Sequence, residues 1–376
     1  MDGTLEFLGE HQGKMIKDLC AFVESETPST EKKLLGDFAG FLAGYATEAG
    51  GEVEVLPDTV SGDHVRALWD AENEEAPLLL LGHYDTVWSA GTLGTMPFET
   101  KDGFATGPGV FDMKCGLVQS FWAVKMAREV LGVHKPIVFL CNSDEEIGSP
   151  GSRTLIEAEA RRAAAVLVLE PSLGGALKTA RKGAGRYLVR VTGKPAHPGL
   201  DPKGGVSAIE ELSRLVLGLH DHSDPEGTGT TVNVGVVEGG TRYNVIAAEA
   251  SAEIDVRAVV RTEAERVRGV FSDLQPSNPG ARIEVEGGEI WPPMERTEEI
   301  GLLYDHAREL AADLGFDPAE KLAGGASDGC LCAAVGAPVL DGLGAVGAGA
   351  HAAHEHVELE SVPLRTALVA RVLETL

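Results

Sequence analysis

Seven residues carry side chains that ligate metal ions or move protons, and each follows an apolar or glycine-rich stretch. His83 and Asp85 come directly after LLLLG, Glu145 and Glu146 follow IVFLC, and Glu170 ends AAAVLVLE. Asp112 lies in GPGVFDMKCG and His351 in GAGAHAAHEH, where neighbouring glycines let backbone approach a bound ion. Taken singly, a histidine after a strand or an acidic pair on a loop is explained by ordinary hydrogen bonding or solvation. Glu170 is different, because an unpaired carboxylate at the end of an apolar strand is costly to bury. One shared cleft accounts for all seven placements. In such a cleft Asp112, Glu145, Glu146 and Glu170 would bring four negative charges together, which two divalent cations would neutralise. Imidazole with carboxylate and no thiolate suits zinc, with cobalt or manganese as substitutes. Asp85, two residues beyond His83, is placed to orient that imidazole.

The elements that position these residues are legible in the apolar pattern. Helical spacing runs through EFLGEHQGKMIKDLCAFVE and KKLLGDFAGFLAGYATEAG, followed by short strands at 52–56 and 65–69. Three fully apolar runs of strand length (LLLLG, IVFLC and AVLVLE) alternate with helical segments, which predicts a mainly parallel sheet covered on both faces. Ligands in such sheets collect at the carboxyl ends of the strands. From about Gly183 the pattern changes to β-α-β-β-α-β: strands at 187–191, 231–237, 247–260 and 282–286, with helices at 206–219 and 263–274. That order is the split ferredoxin-like unit. The predicted organisation is therefore an α/β domain (1–182 and 290–376) with an inserted domain at 183–289.

Composition narrows the function classes. The 376 residues are 43% hydrophobic and 24% charged, as in ordinary globular proteins. Lys+Arg 32 against Asp+Glu 58 gives a net charge of -26, which repels phosphate backbones and argues against nucleic-acid binding. No apolar run reaches the roughly 18 residues of a membrane helix, and the first twenty residues lack a continuous apolar signal core. The expectation is a soluble, cytoplasmic protein with no membrane or nucleic-acid partner. Five scattered cysteines form no disulfide framework and no C-x-x-C pair.

GHYDTV, GPGVFDMKCG, SDEEIGS, LEP and the late GAH…E.V, in this order, resemble the motifs of the co-catalytic di-zinc peptidase family. That family includes glutamate carboxypeptidase, succinyl-diaminopimelate desuccinylase, acetylornithine deacetylase and the aminoacylases. The resemblance spans nearly the whole chain, with the inserted domain as a lid and dimerisation domain. It implies that His83, Asp112 and Glu170 ligate one zinc, that Asp112 bridges to a second zinc completed by Glu146 and His351, and that Glu145 is the general base. It also implies a cis Asp112–Met113 peptide. The last motif departs from the common H-S-x-x-E-Y-V: here it reads HAAHEHV. Alignment on Glu355 and Val357 selects His351 as ligand and leaves His354 and His356 as neighbours, one of which could replace or support it. His197, in GKPAHPG, resembles the lid histidine that relatives supply from a partner subunit to the oxyanion. Arg257, in EIDVRA, resembles the lid arginine that binds the substrate carboxylate, although it could instead pair with Asp255 or Glu253. Asn244, in TRYNVI, and Gly325 and Ser327, in GGASDG, offer further donors.

The implied activity is metal-dependent hydrolysis of an amide bond releasing a free amino acid, nearest to the glutamate carboxypeptidase group. The alternative enzyme is an N-acyl-amino-acid amidohydrolase of aminoacylase or acetylornithine deacetylase type. A non-catalytic binding protein on the same fold would lack a ligand or the base, yet all six positions are filled. A metal-free α/β hydrolase lacks its G-x-S-x-G elbow here.

Overall fold

The computed structural model describes residues 3–376, which form two compact units. The first comprises 3–179, 296–323 and 327–376; the second comprises 180–295 and 324–326. The chain opens with α1 (Gly3–Glu24), α2 (Lys32–Glu48), β1 (Glu52–Leu56), β2 (His64–Trp69) and β3 (Leu78–His83). Short β4 (Glu99–Lys101) and β5 (Phe104–Thr106) precede α3 (Cys115–Glu129), β6 (Ile137–Asn142), α4 (Arg153–Arg162), β7 (Ala165–Val168) and β8 (Leu177–Arg181). The second unit holds β9 (Gly183–Thr192), α5 (Ala208–His220), β10 (Thr231–Gly239), β11 (Glu249–Ala258), α6 (Arg261–Ser272) and β12 (Arg282–Trp291). The first unit is completed by α7 (Glu298–Asp313), β13 (Glu320–Ala323), α8 (Gly329–Ala334), β14 (Val339–Leu340), β15 (Gly347–Ala348), β16 (His356–Glu358) and α9 (Ser361–Thr375).

The first unit is built on a six-stranded sheet in the order β1-β2-β6-β3-β7-β14. Strands β6, β3, β7 and β14 run parallel, and β1 and β2 close one edge antiparallel. All six residues of β3 and all six of β6 are buried, which is why both read as continuous apolar runs rather than alternating ones. Leu78 and Leu80 join the core shared with α1, α2, α3 and α9, while Leu79 and Leu81 are equally buried on the opposite face. Helix α3 is buried over nearly its whole length, since it packs on the sheet and on both α1 and α9. Gly116, in its first turn, lies so close to the end of β7 that an added Cβ would meet the Leu169 carbonyl oxygen at 2.0 Å.

The second unit is a four-stranded antiparallel sheet, β10-β11-β9-β12, the ferredoxin-like strand order. Its core faces α5 and α6, with Tyr187 stacked on Phe271 at 3.8 Å between ring centroids. Several bounds differ from the apolar pattern: β9 begins at Gly183 rather than Tyr187, β11 spans 249–258 rather than 247–260, and α6 spans 261–272 rather than 263–274. Strand β12 continues past Glu286 to Trp291, because Gly287 and Gly288 (φ 92 and 153) and a bulge carry pairing through residues without alternation. Helix α5 starts at Ala208, not Val206, because the Ser207 hydroxyl caps it by accepting the Glu210 amide, while Val206 pairs with Lys194. Among the described residues no helix is long and apolar enough to cross a membrane.

Candidate metal centre

Strands β6, β3 and β7 are neighbours, so the loops at their carboxyl ends share one edge of the sheet. His83 is the last residue of β3, Glu145 and Glu146 sit on a single 3-10 turn after β6, and Glu170 follows β7 by two residues. Asp112 lies on the turn entering α3, with a cis peptide to Met113. Gly109 permits that turn: its φ is 71 and a Cβ there would lie 2.6 Å from Thr86 Cγ2. His351 comes from the loop between β15 and β16 and itself adopts a positive φ of 62.

The side chains converge around Asp112. His83 Nε2 lies 3.3 Å from Asp112 Oδ1 and 3.3 Å from Glu170 Oε1. His351 Nε2 lies 3.4 Å from Asp112 Oδ2 and 3.2 Å from Glu146 Oε2. Two ligand-type clusters result, His83–Asp112–Glu170 and Asp112–Glu146–His351, sharing one carboxylate. Buried polar atoms are normally hydrogen-bonded. Here His83 Nε2, Asp112 Oδ1 and Glu146 Oε1 are buried with no hydrogen-bond partner. Donor atoms around a tetrahedral ion with bonds of 2.0–2.1 Å are spaced roughly 3.3 Å apart, which is the spacing here. The donor set therefore fits a pair of small divalent cations. Of the three histidines in HAAHEHV, His356 has its Nδ1 2.9 Å from the His354 carbonyl and its ring edge-on to Phe104.

The electrostatics of these groups follow from burial and from the two imidazoles. Burial favours neutral Asp112, but the adjacent His351 and His83 imidazoles override it and hold the carboxyl well below its usual range. Burial opposes charge on His83 too, yet Asp112, Asp85 and Glu170 keep it protonated far above the usual imidazole range. Asp112 and Glu146 raise His351 to about 10. Burial pushes Glu146 up to about 7 against the pull of His351. Glu145 is 7% exposed; burial, reinforced by Glu170, Asp328 and Glu146, raises it well above an ordinary carboxyl despite His83.

Three buried carboxylates organise the loops around this cluster. The Asp85 carboxylate accepts the Glu145 amide at Oδ1 (3.1 Å), and at Oδ2 the Glu146 amide (3.2 Å) and the Ser29 hydroxyl (2.8 Å). His83 Nδ1 lies 3.1 Å from the Asp85 carbonyl oxygen and 3.4 Å from Oδ1, so Asp85 faces both the imidazole and the Glu145–Glu146 turn. Asp328 accepts from the Asn142 amide group and the Ser149 hydroxyl, the two ends of the loop that carries Glu145. Glu355 accepts four N–H donors, three of them from residues 109–112. The sequence pattern assigns no role to Asp328 and marks Glu355 only as the residue on which the last motif aligns. The available signal was an acid inside an otherwise small and apolar stretch, SDGCLCAA for Asp328.

The remaining candidates divide between the two units. Ser327, in the first, is 1% exposed and its hydroxyl donates to Asp341 at 2.8 Å, so that hydroxyl is committed within the protein. In the second unit His197 is exposed and its Nδ1 accepts the Gly199 and Leu200 amides, both at 3.1 Å. With Nδ1 accepting those amides, Nε2 is the ring nitrogen left to donate. Asn244 is exposed, the Gly325 carbonyl accepts from Arg181 at 3.1 Å, and the Arg257 guanidinium forms a bidentate pair with Asp255, both bonds 2.9 Å.

The profile of peptidase family M20/M25/M40 matches residues 79–375, a span that includes both clusters and the inserted unit. The chain belongs to this family. Members are metal-dependent peptidases and amidohydrolases, and the chain is such a hydrolase. Carboxypeptidase G2 of Pseudomonas sp. (strain RS-16) is 31% identical over 383 residues, covering 97% of this chain and 89% of that protein. Succinyl-diaminopimelate desuccinylase of Psychrobacter sp. (strain PRwf-1) is 28% identical, covering 83% and 82%. Aminopeptidase PepT from Bacillus cereus superposes with a TM-score of 0.77 at 22% identity over 96% and 98% of the two chains. The M20 metallo-carboxypeptidase Sso-CP2 from Sulfolobus solfataricus gives 0.74 at 16% identity over 96% and 98%. M20 architecture, a catalytic α/β unit with an added antiparallel one, is thus the fold of this chain.

Proposed function

We propose that this M20 hydrolase releases a free amino acid from an N-acyl amino acid or short peptide, in the manner of a carboxypeptidase, with two zinc ions held by His83, Asp112, Glu170, Glu146 and His351. The observation that carries the reading is the pair of clusters sharing Asp112, with three ligand-type atoms buried and unpartnered and a further buried carboxylate, Glu145, beside them. Bound there, two divalent cations supply Lewis acidity towards the scissile carbonyl and the attacking water. Glu145 accepts the water proton as the C–O bond forms and delivers it to the amine nitrogen as the C–N bond breaks. Asp85 holds the amides on either side of that carboxylate's position, and Asp328 ties down the ends of its loop. His197, donating through Nε2 from a second copy of the chain, is the residue proposed for the oxyanion.

For the second unit we propose two roles. Arg257, released from Asp255 on substrate binding, reads the free carboxylate, with Asn244 and the Gly325 turn as further candidate donors. Two copies of the chain pair through the edge strand β10 and the exposed side chains of α5, where Ile209, Val216, Leu217 and Val237 line an apolar groove of about 540 Å³.

Likeness to carboxypeptidase G2 over 97% of the chain supports the exopeptidase reading. The deacetylase and desuccinylase relatives support a second one, N-acyl amino acid deacylation at the same centre. A panel of dipeptides and N-acyl amino acids, each with a free and an amidated carboxylate, separates them, and metal analysis accompanies it. Chelation should abolish hydrolysis, and Glu145→Gln should retain metal while kcat falls by about 10²–10⁴. Full activity in metal-free protein, or equal cleavage of free and amidated substrates, overturns the proposal.

A further inference from the structure

We infer that Glu355 is a positioning residue that sets the separation of Asp112 and His351 and thereby the affinity of the second cation. The inference rests on the reading of Asp112, Glu146 and His351 as that cation's ligands. Glu355 is completely buried, and both of its oxygens are saturated by donors distant in sequence. Oε1 accepts the amides of Phe111 (2.9 Å) and Asp112 (3.1 Å); Oε2 accepts the amide of Gly109 (3.0 Å) and the Trp88 indole N–H (2.9 Å). The carboxylate therefore grips the backbone of the very turn that presents Asp112.

Its other end is fixed to the turn that presents His351. The Glu355 amide donates to Ala352 O at 2.9 Å, and the Ala352 amide donates to Gly349 O at 2.9 Å. Gly349 (φ 84) lies against it so closely that a Cβ there would meet the Glu355 N and Cα at 2.9 Å. Residue 357 then enters strand pairing with Ala105, just ahead of the Asp112 turn. Glu355 is thus a short strut between two loops whose side chains must hold Asp112 Oδ2 and His351 Nε2 3.4 Å apart. Ligand-supporting residues of this kind typically change metal affinity about 10–100-fold when replaced.

Glutamine tests the strut without changing its size. Each Glu355 oxygen takes two N–H donors, so either orientation of a carboxamide sets its NH2 against two other N–H groups. Metal-free Glu355→Gln, titrated with zinc in a calorimeter and with cobalt by visible absorption, should bind one equivalent within about threefold of the parent affinity and the second about 10–100-fold more weakly. Trp88→Phe removes one of the four donors and keeps a ring; it should weaken the same step about threefold, and it serves as the test should Glu355→Gln fail to fold by circular dichroism. His351→Ala, run in parallel, separates the two levels. If His351→Ala loses the second equivalent while Glu355→Gln and Trp88→Phe bind both at parental affinity, the strut is refuted. If His351→Ala binds two equivalents normally, the ligand assignment itself fails.

Discussion

Replacing Asp85 by asparagine should slow turnover far more than its distance from the reacting atoms suggests. Its carboxylate accepts the amide of Glu145 at one oxygen and the amide of Glu146 at the other, each about 3 Å long and charge-assisted. Hydrogen bonds to a charged group contribute about 1.5–3 kcal/mol each. Asparagine keeps one acceptor oxygen. The orientation of least cost places its NH2 at the Oδ2 position, where the Ser29 hydroxyl can turn round and accept but the Glu146 amide is left facing a donor. One charge-assisted bond is then lost from the turn that carries both Glu145 and Glu146. Expressed wholly in the transition state, about 1.5–3 kcal/mol corresponds to a fall of roughly 10- to 150-fold in kcat. The assay belongs on metal-loaded protein, because in chelated protein the removal of one negative charge from a carboxylate cluster offsets the lost bond. kcat and KM on the best substrate of the panel, with metal content measured on the same sample, give the three readouts. KM should stay near the parent value. Ser29→Ala removes the hydroxyl bond to Asp85 but leaves both turn amides bonded, so it should lower kcat less than Asp85→Asn does. Asp85→Asn with full metal content and a kcat within about twofold of the parent would show that the Glu145–Glu146 turn does not depend on this carboxylate.

Chelated protein should lose stability as the pH rises. Glu146 at about 7 and Asp328 at about 6 lie above their ordinary values of 4.5 and 3.8, and His351 at about 10 lies above 6.5. Such groups bind more protons folded than unfolded in those intervals, so Tm should fall from about pH 5 to about pH 9 and hold steadier once zinc replaces the protons; a chelated Tm that rises over this range contradicts these upward shifts. Gly116→Ala should destabilise by about 1–3 kcal/mol or more, because its Cβ would press on the Leu169 carbonyl at the end of β7. Gly44→Ala, in an exposed stretch of α2 with open space around it, should stabilise by about 0.5–1 kcal/mol in the same denaturation assay. Equal effects of the two substitutions would show that close packing of α3 on β7 is not what requires glycine.

Much of the fold was legible because the decisive signals are local. Continuous apolar runs such as LLLLG and IVFLC have the length of buried parallel strands, and both are buried along their whole length. The switch to alternation after Gly183 marks a sheet with one covered face. Ligand types were legible for a related reason: His83, Glu145–Glu146 and Glu170 each interrupt or end an apolar stretch, and a chargeable group in such a place is costly unless it has a function. The sequence alone also determined the composition of the donor set, imidazole and carboxylate without thiolate. What it did not carry were the supports. Asp328 and Glu355 act across 179 to 267 positions of chain on Ser149, Asn142, Trp88 and the Asp112 turn. No local pattern records such a pairing, because a buried carboxylate's value depends on which backbone amides the fold delivers to it. Likewise Ser327 reads as an exposed donor in a glycine-rich turn, and only the packing of α8 against β7 and β14 turns its hydroxyl inward to Asp341. Residue type and strand period fix which groups can do the chemistry; tertiary structure alone decides which carboxylates face an ion and which hold the backbone that presents them, because that choice is set by the neighbours that burial supplies.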